Sequence, residues 1–493
     1  MSQMNWSSVY PEIVLLVMAC IVAMVDLWVT DPRRAPTYWL TQASLAVVAA
    51  MQLGAFNAGD TVYAMQRMVV ADPMGHLLGF FATVAVMISL VYARPYAGSR
   101  DMLKGELFTL SLFSLLGICV MLSANNFLVV YLGLELMTLS LYALVAMRRD
   151  HADATEAAMK YFVLGALASG FLLYGLSMMY GATGSLDISE VFKAIGTGQI
   201  NKQVLILGEV FVVAGLAFKL GAVPFHMWVP DVYQGAPTAI TLLIGGAPKL
   251  AAFAITIRLL VEGMLGLAVD WQQMLVVLSF GSMLLGNVVA IAQSNLKRML
   301  AYSSIAQMGF MLLGLCSGVV YGNTVSAGNS YASSMFYIVT YVLTTLGTFG
   351  MIMLLSRQGF ESEEVSDLAG LARRSPWFAA VMAVFMFSLA GLPPTVGFYA
   401  KLSVLQSLIS TNSAGYLWLA VAAVVLSLVG AYYYLRVVKV MFFDEPTDLR
   451  PIVSTADVRA VLSLNGAAVL AFGLLPGGLM ALCVDALVKA LTT

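Results

Sequence analysis

Charged residues are scarce in this chain. Of its 493 residues only 10% are Asp, Glu, Lys or Arg, whereas 60% are hydrophobic, and the mean hydropathy is +0.89. Soluble domains carry about 25% charged residues, so the composition excludes an ordinary soluble protein and indicates an integral membrane protein. The formal net charge is −1, which provides no basic field for binding nucleic acid.

Cysteine and histidine are also few, and this excludes several kinds of cofactor site. The three histidines include His151 in a polar loop, which leaves too few at membrane depth for a bis-histidine haem. No glycine-rich phosphate-binding motif stands between a strand and a helix. We therefore predict no metal, nucleotide, haem or iron–sulfur site in this chain. Four cysteines stand singly in apolar segments, without a Cys-x-x-Cys pair, and are interpreted as packing residues: Cys20, Cys119, Cys316 and Cys483.

Long hydrophobic runs, by contrast, are abundant. A helix needs about 20 apolar residues to cross a bilayer. The twelfth run is too long for one straight helix and contains Pro393-Pro394, so we predict two half-helices there. The fold class is thus an all-α polytopic membrane protein with fourteen spans, at 9–29, 38–56, 74–93, 106–122, 126–147, 156–180, 204–227, 238–260, 271–293, 299–318, 331–356, 376–410, 416–443 and 459–484.

Lysine and arginine are divided unevenly between the two sets of loops. The loops that follow odd-numbered spans, with the adjoining span ends, hold 17 of the 25 basic residues, and the opposite set holds 5. Since cytoplasmic loops carry the excess of basic residues, the first set is predicted to be cytoplasmic and both termini to lie outside. The other three cations are inside spans: Lys219, Lys249 and Lys401.

Two short sequences recur five spans apart. "AGLAFKLG" (214–221) in span 7 is similar to "AGLPPTVG" (390–397) in span 12, and "LLGICVMLSANN" (115–126) in span 4 to "LLGNVVAIAQSN" (284–295) in span 9. Because five is an odd number, the copies run through the membrane in opposite directions. This pattern is typical of the inverted repeats of transporters, whose sites lie at broken helices.

The repeats divide the chain into four predicted parts. Two inverted five-helix repeats, spans 4–8 and spans 9–13, form the main body, with spans 7 and 12 broken. An N-terminal segment of three helices precedes them, and a loop with span 14 follows. The predicted boundaries are 1–105, 106–260, 261–443 and 444–493.

Four ionisable residues lie well inside spans: Glu135, Lys219, Lys249 and Lys401. A charge at the bilayer centre costs about 2.5–3.5 kcal/mol on insertion scales, so such residues are first interpreted as functional. Burial favours the neutral form of a lysine and a nearby carboxylate favours the charged form. A glutamate that approaches or leaves a buried lysine can therefore make it hold or release a proton, whereas arginine would stay charged.

We therefore predict a proton relay. Two structural interpretations stay open. A buried Glu–Lys pair can be a packing or register device. A lysine near the end of a span can extend its ammonium to the headgroups.

Each intramembrane lysine has a proline within about eight residues. A proline removes a helical hydrogen bond, and freed backbone groups are tolerated at membrane depth where they face protein or water. We predict breaks that line hydrated cavities, while kinks that serve packing alone are the alternative. The predicted helix breaks are Pro224, Pro248, Pro393 and Pro394.

His226 and a tyrosine cluster are harder to interpret. His226, in "PFHMWVPD", either relays protons between Lys219 and Lys249 or bonds to the broken helix. The three tyrosines at 432–434 are interpreted as packing and interface residues.

Four segments resemble a known family. "FKLGAVPFHMWVPDVYQGAPT" (218–238), "YLGLELMTLSLYAL" (131–144), "SDLAGLARRSP" (366–376) and "SLAGLPPTVGFYAKL" (388–402) are similar to segments of the antiporter-like membrane subunits of respiratory complex I, the proton-pumping NADH:quinone oxidoreductase. The resemblance spans nearly the whole chain. It implies fourteen helices with two inverted five-helix repeats, in agreement with the pattern above.

The resemblance also implies a role for each buried charge. Glu135 and Lys219 would form an ion pair between spans 5 and 7. Lys249 would occupy the relay position in span 8, and Lys401 the exit-side position in broken span 12. Two subunit types of the family are disfavoured, since the L type has a long lateral C-terminal helix and the M type has a glutamate where Lys401 stands.

The implied function is proton translocation coupled to quinone reduction elsewhere in a complex of the bacterial plasma (inner) membrane. NADH, FMN, iron–sulfur clusters and quinone would reside in other subunits. The implied partners are the antiporter-like M subunit, the small K and J type subunits and the lipid bilayer, with no nucleic acid. A cation/proton antiporter subunit without redox coupling is the main alternative, and an assembly scaffold with structural charges is a third.

Overall fold

The N-terminal part of the chain consists of three long helices and a small hairpin. The computed structural model describes residues 4–198, 200–320, 322–446 and 450–491, so the outermost ends of the first and last predicted parts lie outside it. Helices α1 (Tyr10–Asp26), α2 (Ala35–Ala58) and α3 (Pro73–Gly98) match the first three predicted spans. Between α2 and α3, β1 (Val62–Ala64) pairs antiparallel with β2 (Val69–Ala71), with Val62 opposite Ala71. These strands are too short to appear as long apolar runs in the sequence, so the hairpin was not predicted.

The next eight helices lie in the segment that was predicted to form the first repeat. Span 7 was predicted to end at residue 227, but it continues beyond an irregular stretch as a second half-helix. Span 8 is interrupted at Gly246 and ends in a π-helical segment, Ile257–Gly263. The helices are α4 (Gly105–Leu122), α5 (Phe127–Val145), α6 (Ala152–Thr183), α7 (Ile188–Gly196), α8 (Lys202–Leu220), α9 (Trp228–Gly235), α10 (Thr238–Gly245) and α11 (Ala247–Thr256).

The remaining helices form the predicted second repeat and the C-terminal span. Span 14 was predicted as one helix over 459–484, but it is divided at Pro476, which cannot donate a backbone hydrogen bond. The helices are α12 (Ala268–Ile291), α13 (Leu296–Cys316), α14 (Ala327–Leu355), α15 (Leu371–Arg374), α16 (Pro376–Ala390), α17 (Val396–Ile409), α18 (Ala414–Phe443), α19 (Ala456–Leu474) and α20 (Gly477–Leu491).

The all-α polytopic fold class is confirmed. Within the described residues, 13 helical segments are long and apolar enough to cross a membrane. Helices α16 and α17 are shorter apolar helices that together occupy the predicted twelfth span. The exact count of fourteen spans stays a prediction.

Three spans lie at the centre of the molecule. The buried share of the 18-residue apolar segment within a span is 94% in Thr238–Gly263, Leu296–Cys316 and Ala327–Leu355. It is only 28% in Ala414–Phe443. The peripheral helix therefore faces lipid or another subunit. The central spans are the ones that carry Lys249 and, as described below, a polar network.

Matching loop contacts support the predicted inverted repeat. Asn126 forms a bridge with Asp187 at one side of the molecule, and Asn295 forms the equivalent bridge with Glu364 in the second repeat. Both asparagines cap the next helix: Asn126 accepts from Leu128 N at 2.9 Å and Asn295 from Arg298 N at 3.0 Å. The repeat boundaries themselves stay a prediction.

A close helix contact recurs with the same spacing. Gly117 and Gly286 are separated in sequence by as many residues as Asn126 and Asn295. A Cβ at Gly117 would lie 2.4 Å from Met137 N, and one at Gly286 would lie 2.7 Å from Ala306 N. Only glycine allows helices this close, so the second sequence repeat, between spans 4 and 9, has a matching packing role.

Candidate functional site

Span 7 is broken where the sequence predicted it. Helix α8 ends at Leu220, and Gly221 follows with φ of +78°, in the left-handed region that glycine adopts without a Cβ clash. The chain is then irregular past Pro224 until α9 begins at Trp228. The predicted interruption near Pro224 is confirmed.

Span 12 is broken in the same way. Helix α16 ends at Ala390, Gly391 has φ of +83°, and α17 begins beyond the two prolines at Val396. Both Val223-Pro224 and Pro393-Pro394 are cis peptides. By its place at the helix end, Gly221 therefore corresponds to Gly391. The similarity between 214–221 and 390–397 had instead paired Gly221 with the last glycine of the second segment. That register was wrong because it compared residue types without regard to where the helices end.

Pro248 does not break span 8. The interruption lies at Gly246, with φ of −98° and ψ of −108°, and Pro248 occupies the first turn of α11. Proline is favoured there because the first backbone amides of a helix need no intrahelical acceptor. The predicted break exists, two residues earlier than expected.

Lys249 closes the end of α8. Its side chain is 1% exposed. The ammonium Nζ donates to Leu220 O at 2.7 Å and lies 3.5 Å from Lys219 O. The ring of Trp228 is 5.6 Å from Nζ. The last carbonyls of a helix have no intrahelical donor and form the negative end of its dipole, so Lys249 satisfies them at the break.

Lys401 binds the end of a helix in the same way at the break of span 12. Its Nζ donates to Ala390 O at 3.0 Å, to Leu389 O at 3.2 Å and to Ser427 Oγ at 2.9 Å. The side chain is 8% exposed, and the ring of Phe310 lies 4.8 Å from Nζ. Thus each broken span ends in carbonyls that a buried lysine binds.

The acceptors of these two lysines are uncharged. Among the described residues, no Asp or Glu oxygen lies within 4.0 Å of Lys249 Nζ or Lys401 Nζ. Carbonyl and hydroxyl dipoles stabilise an ammonium less strongly than a carboxylate does. Each lysine can therefore lose its proton without leaving a buried carboxylate unpaired.

Glu135 and Lys219 do not form the direct ion pair that the resemblance implies. No contact of 4.0 Å or less joins these two described residues; Lys219 Nζ instead lies 3.4 Å from Ser169 Oγ. Ser169 belongs to α6, which packs against both α5 and α8 and so stands between them. Glu135 Oε1 is buried without a hydrogen-bond partner among the residues that the structure describes.

His226 contacts neither lysine through a hydrogen bond. Its backbone oxygen accepts from Val229 N at 2.9 Å at the start of α9, and its Nδ1 is buried without a partner within the part of the chain that the structure describes. This geometry favours the interpretation in which His226 bonds to the broken helix.

A polar network beside Lys401 was missed by the sequence analysis. Gln307 Nε2 donates to Leu389 O at 2.9 Å, the same carbonyl that Lys401 binds, and to Tyr434 OH at 3.1 Å. The hydroxyls of Tyr434 and Ser303 lie 2.5 Å apart. Tyr337 donates to Gln307 Oε1. These side chains connect α13, α14 and α18 to the break.

The tyrosine cluster contains both an exposed residue and packing residues, as predicted, but two of its members also form hydrogen bonds. Tyr432 is 58% exposed, but Tyr433 and Tyr434 are buried and hydrogen-bonded. A signal existed in α13, because Ser303 and Gln307 are four residues apart and share one helix face. Their shared partner Tyr434 lies more than 100 residues away and could not be read from one sequence.

The cavities at the two breaks differ. Near span 12, a cavity of about 10 Å³ is lined by polar side chains that include Gln307, Thr344 and Ser388, and it is close to the size that holds one water. Near Pro224, a cavity of about 120 Å³ is lined by apolar residues such as Leu164 and Phe171. The predicted hydrated cavity is therefore supported at span 12, whereas the cavity that Pro224 lines is apolar and hydration of that break stays a prediction.

A second polar cavity opens on the side of the basic loops. It measures about 260 Å³ and lies beside the end of α9. Asp231 joins Lys160 at 2.8 Å and Arg298 at 2.8 Å across it. These charges provide a water-accessible entrance next to the broken span.

No group of three or more His, Cys, Asp and Glu side chains that could hold a metal ion occurs among the described residues. The chemistry that this site supports is proton transfer between lysines, hydroxyls and water at helix breaks.

Comparison with known proteins identifies the class and then the family. A family model described as "NADH:quinone oxidoreductase/Mrp antiporter, TM" matches residues 124–430, which cover both broken spans. The class is therefore that of antiporter-like transmembrane subunits. NADH-quinone oxidoreductase subunit N of Polaromonas naphthalenivorans is 64% identical over 488 residues, covering 98% of each chain. The chain belongs to the subunit N family of NADH-quinone oxidoreductases, which confirms the resemblance.

Solved structures share the fold. A chain of respiratory complex I from Thermus thermophilus has a TM-score of 0.82 at 30% identity, covering 97% of this chain and 100% of that one. A chain of the Mrp complex from Dietzia sp. DQ12-45-1b has a TM-score of 0.85 at 21% identity, covering 99% and 97%. The second likeness concerns the fold alone.

Proposed function

We propose that this chain translocates protons through Glu135, Lys219, Lys249 and Lys401, as a membrane-arm subunit of an NADH-quinone oxidoreductase. The observation that carries the proposal is the pair of matching closures, in which Lys249 and Lys401 bind the last carbonyls of the two broken helices. Half-helix ends at mid-membrane are the usual place where transporters bind protons and small cations.

The first step is controlled by Glu135. When its carboxylate is ionised, it favours the protonated form of Lys219; when it is protonated or displaced, Lys219 releases its proton. The acceptor is Lys249, whose Nζ already lies 3.5 Å from the backbone oxygen of Lys219. His226, which lacks a hydrogen bond to either lysine, is not required for this step.

The second step carries the proton sideways to Lys401. The hydroxyls of Tyr233 and Ser304 are buried between the repeats and lack a protein partner among the described residues. Ordered water is the usual partner of such groups and bridges them at little cost. The hydrogen-bonded side chains of Ser303, Tyr434 and Gln307 continue this route to Leu389 O, which Lys401 shares.

The rest of the proposed function concerns the complex. Both termini are placed outside the bacterial inner membrane, so protons enter beside Asp231 and leave from Lys401 on the outer side. In this proposal other subunits bind NADH, FMN, iron–sulfur clusters and quinone. The neighbouring subunits of this chain are of the M, K and J types.

A cation/proton antiporter subunit without redox coupling is the second candidate, since the Mrp complex has the same fold. Purification of the native complex distinguishes the two. Flavin and iron–sulfur absorbance that co-purifies with this chain supports the first candidate, and its absence from an intact complex supports the second.

Replacement of Lys401 tests the relay. The Lys401→Met variant keeps the apolar stem but cannot carry a proton, so proton pumping by the complex in sealed membrane vesicles should be lost. Lys439→Met is the matched control because Lys439 is 62% exposed and far from the break. Equal pumping by both variants, in complexes that assemble equally, would disprove the role of Lys401.

A further inference from the structure

A second cluster of ionisable side chains lies on the side opposite the basic loops. Arg258, in the π-helical end of span 8, is 1% exposed. Its guanidinium binds Asp72 with Nη1 at 2.5 Å and Nη2 at 2.9 Å, Glu262 at 2.9 Å and Leu122 O at 2.8 Å. Arg258 thus joins span 8 to α3 and α4. Arg258 is one of the five basic residues that the sequence analysis placed in the opposite set of loops and span ends.

The two carboxylates of this cluster are not equivalent. Asp72 is 1% exposed, and besides both guanidinium nitrogens it accepts from Gly75 N at 2.7 Å. Asp72 therefore accepts three hydrogen bonds in a buried site. The Glu262 side chain is 17% exposed, and among the described residues it accepts a hydrogen bond from Arg258 alone. Glu262 is therefore the carboxylate of the cluster with fewer donors and with the greater access to solvent.

Glu262 faces a large cavity. The cavity measures about 810 Å³ and is also lined by Arg67, Lys193 and Tyr331. Two polar atoms on its wall are buried without a partner in the described chain, Arg258 Nε and the hydroxyl of Tyr331. Unpaired polar groups beside an open space of this size are normally satisfied by water.

Other titratable groups surround the cluster. Arg258 contacts Glu262 directly, and Asp72 binds the same guanidinium. Lys193 of α7 and Arg67 of the hairpin turn line the same cavity as Glu262. On the far side of Asp72, a cavity of about 20 Å³ is lined by Glu12 and His76, enough for one water.

We propose that Glu262 is a proton-binding site that exchanges with the aqueous phase on the outer side of the membrane. A proton passes from cavity water to the Glu262 carboxylate, and the Asp72–Arg258–Glu262 cluster changes from a net charge of −1 to zero. The protonated carboxyl holds Arg258 less tightly. Arg258 follows Lys249 by nine residues on span 8, so outer acidity acts on the span that carries the relay lysine. This site rests on the proposed function of the chain.

The test varies the outer pH alone. In inverted membrane vesicles the outer aqueous phase is enclosed, so its pH is set during vesicle preparation while the external pH stays constant. We expect the rate of quinone-linked NADH oxidation by the native complex to change by about fivefold between a mildly acidic and a mildly alkaline enclosed pH. A change of this size corresponds to a modest coupling free energy between two sites. Glu262→Gln keeps the size and an acceptor for Arg258, and it should remove this dependence. Glu190→Gln, which changes an exposed glutamate paired with Lys193, should retain it.

The outcomes separate this site from the relay. If the Glu262→Gln complex keeps the native dependence on enclosed pH, the proposal that Glu262 is a proton-binding site is wrong. The Lys401→Met variant, measured at one uniform pH, tests the relay separately from that result. NADH oxidation with an artificial acceptor reports whether the variant complex has assembled.

A second measurement does not depend on the Glu262 variant. Val325 is 88% exposed and lines the same cavity. A cysteine at this position should react with a membrane-impermeant maleimide in intact cells. Reaction only in inverted vesicles would place the cavity on the cytoplasmic side and overturn the proposal.

Discussion

At the scale of single residues, the three buried cations in the relay are all lysines. Lys249 and Lys401 are bound by backbone carbonyls, and Lys219 lies 3.4 Å from a serine hydroxyl. An arginine could satisfy the same acceptors, with more donors and a permanent charge. Lysine is therefore needed at these positions, in place of arginine, only if the proton is released.

Lys219→Arg distinguishes a proton carrier from a structural cation. Because the pKa of a guanidinium group lies far above neutral, it cannot release a proton at neutral pH. We expect the variant complex to assemble and to oxidise NADH with an artificial acceptor. Its quinone-linked turnover and proton pumping should fall together by about 100-fold, as is typical when an acid–base group is lost.

Lys219→Ala is the companion variant. It removes the cation that acts on Glu135, and a broken buried pair costs about 3–5 kcal/mol. Because the structure shows no direct contact between the two side chains, we expect a smaller assembly defect than this upper range. Native pumping by Lys219→Arg would show that Lys219 is structural.

At the scale of elements, both broken helices depend on a glycine that ends the first half. Gly391 has φ of +83°, and a Cβ on it would lie 2.7 Å from Lys401 Cδ. Gly221 has φ of +78° in the equivalent place. The glycine both allows the left-handed turn and leaves room for the lysine that binds the helix end.

Gly391→Ala should therefore impair the site more than the overall fold. The left-handed conformation costs a residue with a Cβ about 1–2 kcal/mol, and Lys401 must also shift. We expect proton pumping to fall while the complex still assembles. Gly170→Ala is the control, since a Cβ there meets nothing within 4 Å and alanine favours the helix by about 1 kcal/mol. Equal pumping by the two variants would show that the position of Lys401 is not critical.

At the scale of the whole molecule, orientation decides the direction of transport. Asn412 and Asp153 are exposed, and the predicted order of spans puts them on opposite sides of the membrane. If the basic loops are cytoplasmic, a cysteine at Asn412 should react with an impermeant reagent in intact cells and a cysteine at Asp153 should not. Cys20, which is exposed, should first be replaced by serine. The reversed labelling pattern would invert the proposed direction of transport.

Glu361 connects the N-terminal helices to the loop after α14. It accepts from Arg100 Nε at 2.9 Å, Arg148 Nη1 at 3.2 Å and Tyr96 OH at 2.8 Å. Burial raises the pKa of Glu361, but the hydrogen bond and charge of Arg100 outweigh it and leave the pKa below its usual value. A group with a lowered pKa stabilises the fold above its unfolded pKa and loses that contribution as pH falls through the folded pKa.

Glu361→Gln should thus destabilise the complex at neutral pH and not in acid. The expected loss is about 1–3 kcal/mol, the usual value of hydrogen bonds to a charged group. Thermal unfolding of the purified complex over a series of pH values measures it, and the native and variant curves should converge below the folded pKa. Glu445→Gln, at a side chain that is 86% exposed, should show no such pH-dependent difference. A constant difference at every pH would mean that Glu361 acts by packing alone.

The sequence by itself determined the membrane class, most span positions, the two broken spans and the three buried lysines. These follow from local rules: a bilayer needs about 20 apolar residues, proline interrupts a helix, and a charge at depth stands out. The boundaries were less certain, so the second half of span 7 and the division at Pro476 were missed.

Only the tertiary structure decided what each buried group touches. Lys249 binds carbonyls about 30 residues earlier in the chain, Gln307 meets Tyr434 on another helix, and Arg258 binds Asp72 of the N-terminal segment. Helices that are apolar on most faces give no sign of which neighbour each face meets. The partners depend on how the spans pack around the central helices, because hydrogen bonds at membrane depth must be satisfied within the protein.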